Sequence, residues 1–197
     1  MRRAIPIVCA IVLAAGSASP VTRGAHRSRP EEIRHRFLGK RVIAGAAVSA
    51  TYGEAVNRPR EWGRGAAGFG KRAGSALGTH AVKAGIEMGL GKWWHENLHY
   101  QRSNLPGTWP RVKYAVKRTF IVPRSNKPGK TFAGARIAGA FGSGLISRAW
   151  QPASTAGIGA GFASGGIALA ADVGFNMARE FWPQKKHGQR VAAARRR

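Results

Sequence analysis

The sequence predicts an all-α protein of closely packed, Gly/Ala-rich helices, and three observations support that prediction. The chain has 197 residues, of which 44% are hydrophobic, so it can bury a core and does not have the composition of a disordered chain. It contains 27 glycines, about twice the usual share. Many of them recur at every fourth position, which places them on one side of a helix and lets a second backbone approach closely. Membrane association of such a bundle is an open alternative.

The amino terminus has the pattern of a secretory signal peptide. Arg2 and Arg3 precede an apolar run, and small residues follow it up to a cleavage site after Ala18. The run spans about 11 residues and falls short of the roughly 20 that a membrane-spanning helix needs. We expect residues 1–18 to be removed on export. Cys9, the one cysteine, is lost with them, which excludes disulfides and thiolate metal sites from the mature chain.

Composition divides the mature chain into a basic leader, a Gly/Ala-rich helical domain and a basic tail, which are residues 19–36, 37–182 and 183–197. Residues 101–131 are rich in Pro and Gly and are predicted to be a linker, with one short helical or strand piece at residues 112–122.

The segments on either side of this linker, residues 37–100 and 132–182, form a possible two-fold repeat. Residues 43–46 read Ile-Ala-Gly-Ala, and the same four residues recur at 137–140. Chance similarity is the alternative in a chain this rich in Ala and Gly.

Small residues line one side of each long predicted helix. At 100° per residue, the small residues of the first half share an arc of about 100°. The residues on the opposite side are Arg72, His80, Lys83 and Glu87. The predicted packing stripe consists of Gly70, Gly74, Gly78, Gly85, Gly89, Gly157, Gly161 and Gly165. We expect these positions to face another helix, of this chain or of a self-associated copy. A glycine-rich coil is the alternative.

Residues 149–171 carry no charge, and this stretch is just long enough to cross a bilayer. Its Gly, Ala and Ser residues contribute little transfer energy, however. Five tryptophans lie near segment ends: Trp93, Trp94, Trp109, Trp150 and Trp182. They could anchor the protein at a membrane interface or close the ends of a soluble bundle. An outer-membrane β-barrel is a third possibility, which the four-residue glycine spacing disfavours.

One five-residue run has the pattern of a metal site. His95, Glu96 and His99 form an HExxH motif, in which two histidines on one helix face bind zinc and the glutamate acts as general base. The extended form of the motif fails, because Arg102 stands at its glycine position and no third histidine follows at the right spacing. The main prediction is therefore no cofactor and no catalytic residue. The alternative is a zinc-dependent hydrolase with Glu96 as its catalytic residue.

Charge indicates the class of partner. Removal of the signal peptide lowers the formal net charge from +25 to +23. Between Glu96 and Asp172 there are ten Lys or Arg residues and no acidic one. No nucleic-acid-binding module is recognisable and export removes that partner, so we expect anionic lipid or an anionic envelope polymer. Asp172, the one aspartate, is expected to pair with Arg148 or Arg179.

Three runs of residues resemble a group of uncharacterised exported bacterial proteins. Residues 58–63 match its arginine-proline-(arginine or lysine)-glutamate-aromatic-glycine run, residues 68–72 its Gly-Phe-Gly-Lys-Arg run and residues 180–183 its closing Glu-Phe-Trp-Pro. The resemblance covers about residues 35–187 and implies an envelope protein without an assigned activity. The group has arginine where this chain has His99, which disfavours zinc. We predict a structural or interaction protein of the periplasm or the membrane-associated envelope.

Overall fold

Five α-helices make up most of the part of the chain that the structure describes. The computed structural model describes residue 34, residues 37–103 and residues 105–182. The helices are α1 (Lys40–Ala55), α2 (Ala66–Trp93), α3 (Thr108–Phe120), α4 (Gly134–Ile146) and α5 (Ile158–Phe181). Two 3₁₀ segments lie at Arg60–Trp62 and Ser147–Trp150, and β1 (Ile121–Pro123) pairs antiparallel with β2 (Lys130–Phe132). The prediction of an all-α fold is confirmed, and this short hairpin and an isolated bridge between Glu96 and Arg124 are the β-structure among the described residues.

The predictions for the two ends of the chain lie outside the described residues. They are the signal peptide over residues 1–18, the basic leader over residues 19–36 and the basic tail over residues 183–197. Within the leader, the structure describes Arg34 alone.

Helix α4 lies at the centre of the helix contacts. It packs against both α2 and α5, while α1 packs on α2 and α3 packs on α5. Helices α2 and α4 run antiparallel: Gly91 near the end of α2 lies beside Ala135 at the start of α4, and Gly78 lies beside the Trp150 ring that follows α4. The buried residues of α4 are small or polar, namely Ala135, Arg136, Gly139, Ala140, Ser143 and Gly144.

Glycines bring the backbones of α4 and α5 together. A Cβ atom on Gly144 would clash with the carbonyl oxygen of Gly161 and would lie 2.9 Å from the backbone nitrogen of Gly165. A Cβ atom on Gly165 would lie 2.8 Å from the Cα atom of Phe141. Any larger residue would have to move one of the two helices, because the obstructing atoms belong to the backbone. Gly161 and Gly165 of the predicted stripe therefore lie against a neighbouring helix.

The α2 part of the stripe faces away from the other described helices of this chain, and its packing against a self-associated copy stays a prediction. A Cβ atom would meet no heavy atom within 4 Å at Gly70, Gly74, Gly85 or Gly89, nor at Gly157 before α5. At Gly78 it would meet only the ring of Trp150, at 3.5 Å. The polar side of α2 is packed instead, and Arg72 is only 4% exposed. The polar side chains of α2 find partners in neighbouring elements, whereas its glycines have no side chain to bury. These partners therefore determine which side of α2 faces inward.

The two parts of the predicted repeat share one order of elements. A short helix, a 3₁₀ segment ending in tryptophan and a long helix follow one another as α1, residues 60–62 and α2, and again as α4, residues 147–150 and α5. The matching residues 43–46 and 137–140 lie on the two short helices. Gene duplication itself stays a prediction.

Residues 101–131 are more than a linker. Helix α3 occupies 13 of them, starts earlier than the predicted piece and packs on α5. Pro110 lies in the first turn, where its missing N–H leaves no helical hydrogen bond unmade. Thr119 of α3 is buried, and its Oγ1 atom accepts a hydrogen bond from Asn176 Nδ2 of α5 at 2.9 Å. Composition did not predict the full length of this helix, because its contacts with α5 are largely polar.

Adjacent glycines of α5 test the close approach of α4 and α5. We expect Gly165→Ala to lower the free energy of unfolding by about 2–3 kcal/mol, because the added methyl group would push against the α4 backbone. Gly166→Ala is the matched control, since a Cβ atom there meets nothing within 4 Å. It should be neutral or stabilising by up to about 1 kcal/mol, from helix propensity. Denaturant unfolding followed by circular dichroism measures both, and equal effects would contradict the packing.

Candidate functional site

The fully buried residues of this protein are small or polar, and many of its large apolar side chains are exposed, which departs from the usual arrangement. The largest fully buried side chains of the described residues are Glu180, Val122, Thr119, Ser143 and Ser147. Apart from Val122, the buried hydrophobic residues are alanines. By contrast, 19 large hydrophobic side chains in the same part of the chain are more than a third exposed. The outside of this bundle is therefore the place to look for binding to an apolar partner.

Glu180 near the end of α5 is fully buried and anchors α3 and the preceding segment. Its carboxylate accepts hydrogen bonds from the Tyr100 hydroxyl at 2.7 Å and from Arg111 Nε at 3.2 Å. It also accepts bonds from the Ser103 hydroxyl at 2.5 Å and backbone N–H at 3.0 Å. The backbone carbonyl of Glu180 accepts further bonds from Arg102, at 2.6 Å, and from Arg111.

These hydrogen bonds decide the charge of the anchor. Burial by itself raises the pKa of Glu180, but the hydrogen bonds from Ser103, Tyr100 and Arg111 outweigh it and lower the pKa to about 2. Burial, and then the neighbouring carboxylate, raise the pKa of Tyr100, so its hydroxyl stays protonated and donates. The carboxylate is thus ionised at neutral pH, and its oxygens are engaged within the fold.

An ion pair between Lys83 and Asp172 joins α2 to α5. Lys83 Nζ lies 2.8 and 2.6 Å from the two oxygens of Asp172, and 3.4 Å from an oxygen of Glu87. The expectation that Asp172 pairs with Arg148 or Arg179 is therefore wrong, because the polar side of α2 faces inward and brings Lys83 to it. Burial raises the pKa of Glu87, and the charge of Lys83 opposes that rise.

Arg72 ties the start of α2 to the loop after α1. Its NH1 atom forms an ion pair with Glu54 at 2.6 Å, and the whole side chain is 3% exposed. The other acceptors of its guanidinium are the carbonyl oxygens of Arg58, Pro59 and Gly63 and the side-chain oxygen of Asn57. All five N–H donors of a guanidinium are thereby used. Arg72 therefore has a structural role.

The residues of the HExxH pattern do not lie on a helix. Helix α2 ends at Trp93, and His95 has a left-handed backbone with φ 54°. Glu96 follows in an extended bridge with Arg124, and both His95 and His99 are exposed. The two imidazoles therefore do not share the helix face that this kind of zinc site requires. Among the described residues, no three His, Cys, Asp or Glu side chains are grouped so that they could hold a metal ion.

Glu96 has a different partner from the one that a hydrolase would need. Its carboxylate is buried and accepts hydrogen bonds from the backbone N–H groups of Gly134, at 3.0 Å, and Ala135, at 3.1 Å. Burial raises the pKa of Glu96, and these two N–H groups oppose the rise. A carboxylate at the first turn of a helix satisfies free backbone donors and interacts favourably with the helix dipole. Glu96 therefore fixes the start of α4 rather than facing the histidines.

One side of α5 is an uncharged, exposed surface. We call it the α5 outer face, and it consists of Ile158, Gly159, Phe162, Ala163, Gly166, Ile167 and Ala170. Ile158 is 72% exposed, Ile167 71% and Phe162 52%. By length and composition, α5 could cross a membrane, as no other described helix could. A core helix of a soluble protein would be mostly buried, whereas only 11% of the most apolar stretch of α5 is buried.

Sequence reasoning missed Arg72, Glu96 and Glu180 as structural anchors. One signal could have indicated them. The chain has only eight acidic residues against 33 basic ones, so any buried acid has many possible cationic partners. Which acid is buried depends on the tertiary contacts of α5 and α4.

Comparison of the chain with protein-family models, with curated proteins and with solved structures gives no match. The resemblance to exported bacterial proteins therefore stays a prediction, as does the function that it implies.

The Glu180 anchor predicts a pH-dependent effect. We expect Glu180→Gln to lower the free energy of unfolding at pH 7 by about 3 kcal/mol, because half-buried Arg111 loses its partner charge and the hydrogen bonds to the fully buried carboxylate are disturbed. In the folded chain the pKa of Glu180 is about 2, below the ordinary value of 4.5. The carboxylate therefore contributes stability above pH 4.5 that is lost as the pH falls towards 2. The difference between wild type and variant should shrink over that window in denaturant unfolding.

Glu61→Gln serves as the control for this measurement. Glu61 is exposed, and among the described residues the partner of its carboxylate in another element is Ser154. Its loss should change the free energy of unfolding by no more than about 0.5 kcal/mol. A Glu180→Gln effect of the same small size at pH 7 would contradict the role of Glu180 as an anchor.

The two roles offered for Glu96 differ in their consequences. We expect Glu96→Ala to lower the free energy of unfolding by about 1–2 kcal/mol, because two N–H groups of α4 lose their acceptor. His99→Ala, at an exposed position, should change it by less than about 0.5 kcal/mol. Added zinc should not raise the melting temperature. Stoichiometric zinc in the purified protein, lost in His95→Ala, would instead support the hydrolase.

Proposed function

We propose that this chain is an exported envelope protein that binds an anionic membrane surface and acts as a structural or interaction protein rather than as an enzyme. The observation that carries the proposal is the α5 outer face, a run of exposed, uncharged residues on a helix whose other sides are occupied. In this proposal the α5 outer face enters the boundary between headgroups and acyl chains. Basic segments of the chain contact the headgroups.

Apolar burial would supply part of the binding free energy. Ile158, Phe162 and Ile167 each expose more than half of their side chain. Transfer of such a side chain from water to an apolar environment is worth about 1.5–3 kcal/mol when it is complete. The small residues between them allow the helix to lie close to the membrane surface. Three partly inserted side chains suit reversible, interfacial binding.

Charge would supply the preference for anionic lipid. Ten basic residues and no acidic one lie between Glu96 and Asp172, and four of these basic side chains are exposed lysines, at positions 113, 117, 127 and 130. Each Lys or Arg close to an anionic leaflet contributes about 1 kcal/mol. A net positive chain is also drawn to such a surface before any specific contact forms.

Contacts within the fold favour surface binding over insertion of α5 across the bilayer. The second half of α5 is tied to the other helices by Asp172, which pairs with Lys83, and by Glu180, which pairs with Arg111. Helix α5 could cross a membrane by itself only if these partly buried ion pairs were broken, and that would leave charges unpaired. The proposal therefore keeps α5 in the bundle.

Vesicle binding tests the α5 outer face. Ile167→Glu places a charge at its centre, and we expect affinity for vesicles of mixed anionic and zwitterionic lipid to fall on the order of tenfold or more. Ile43→Glu is the matched control: Ile43 is 53% exposed on α1, and its change adds the same charge. It should lower affinity much less. Co-sedimentation at several salt concentrations measures both, and wild-type binding should weaken as salt rises.

Two results would contradict the proposal. Equal losses in Ile167→Glu and Ile43→Glu would mean that overall charge, and not the α5 outer face, decides binding. Retention of the wild-type protein in cell membranes through high-salt and alkaline washes until detergent is added would mean that helices span the bilayer.

A further inference from the structure

A groove crosses the outer side of α2 at the end of the bundle away from the Glu180 anchor. It is a shallow groove, largely open to solvent, with a volume of about 410 Å³. Six residues from α2 and the two 3₁₀ segments line it, namely Trp62, Lys71, Gly74, Ser75, Gly78 and Trp150. The groove thus combines two indole rings with one cation and one hydroxyl.

The Trp150 wall is held in place by specific contacts. Its Nε1–H group donates to Ser75 Oγ at 3.1 Å, and the side-chain amide of Gln151 donates to the same oxygen at 2.8 Å. A Cβ atom on Gly78 would lie 3.5 Å from the ring, so the indole rests directly on the α2 backbone. The ring is positioned before any ligand arrives, which lowers the entropy cost of binding.

A contact between the segments also connects the two walls. Glu61, next to Trp62, accepts hydrogen bonds from the Ser154 hydroxyl at 2.9 Å and from its backbone N–H at 3.3 Å. Ser154 follows the segment that carries Trp150. The carboxylate nearest in sequence to the groove is therefore engaged with the opposite loop.

The polar groups of the groove are available to a ligand. None of the described residues forms a hydrogen bond or an ion pair with the Lys71 ammonium group. Ser75 Oγ accepts two hydrogen bonds, which use both of its lone pairs and leave its own hydrogen to be donated. The floor at Gly74 is open, because a Cβ atom there would meet no heavy atom within 4 Å.

We propose that this groove binds a sugar ring that carries a carboxylate, such as an acidic unit of an envelope glycan. The electron-rich faces of Trp62 and Trp150 attract the C–H groups on the apolar side of a pyranose. The Lys71 ammonium group pairs with the carboxylate in a charge-assisted hydrogen bond, and the Ser75 hydroxyl donates to a ring substituent. A cationic ligand would be repelled by Lys71, and a neutral one would leave it unpaired. This site is independent of membrane binding by the α5 outer face.

Digalacturonate and its uncharged dimethyl ester are the probes, measured by calorimetry and tryptophan fluorescence with the full exported chain. Wild type should bind the acid about tenfold more tightly than the ester. Gly74→Leu fills the groove from a position with free space, and Lys71→Gln removes the charge, so each should weaken binding of the acid about tenfold or more. Gly85→Leu is the matched control, because Gly85 is also an exposed α2 glycine with nothing within 4 Å but lies outside the groove. Its affinity should equal that of wild type.

Three results would overturn the site. These are no measurable binding by wild type, equal affinity for acid and ester, and equal behaviour of Gly74→Leu and Gly85→Leu. Thermal unfolding checks that each variant is folded. Gly74→Leu should still bind anionic vesicles as wild type does, so failure of the sugar site and failure of membrane binding are separate results.

Discussion

The close approach of the α4 and α5 backbones is the constraint on which the rest of the structure depends. At Gly144, Gly161 and Gly165 the two backbones come so close that an added Cβ atom would meet the neighbouring helix. Where backbones approach this closely, the fully buried positions are small, and the buried hydrophobic residues of the described chain are alanines and Val122. Many of the large apolar side chains lie outside. The exposed α5 outer face is therefore a consequence of how the bundle is packed.

A core of such small residues contributes little hydrophobic stabilisation, so polar anchors complete the fold. Arg72, Glu96 and Glu180 each fix one junction: α1 to α2, the end of α2 to α4, and α3 to α5. All three are buried. Arg72 and Glu180 bond to both backbone and side-chain groups, and Glu96 bonds to the backbone N–H groups at the start of α4. Buried charges are tolerated only when nearly all of their hydrogen-bonding capacity is used, and that condition makes these contacts specific.

The same packing separates two binding surfaces. Helix α5 presents apolar residues without charge, which suits a lipid interface. Helix α2 turns its polar side inward and its glycines outward, and Trp62 and Trp150 cover part of that glycine side to form the groove. Both surfaces suit the strong positive charge of the chain, which favours anionic lipids and acidic glycans as partners. Neither surface uses the HExxH residues, whose glutamate belongs to the start of α4.

The sequence by itself determined the helical class, the small-residue side of α5 that contains Gly161 and Gly165, and the charge of the chain, because periodicity and composition are local properties. Only the tertiary structure decided which side of α2 is buried. Helical spacing separates its glycines from Arg72, Lys83 and Glu87 but does not say which set faces inward. That choice depends on partners far away in sequence, such as Asp172 for Lys83. The pattern at residues 95–99 did not predict the local structure for the same reason. Helix α2 ends at Trp93, and Glu96 beyond it bonds to the start of α4.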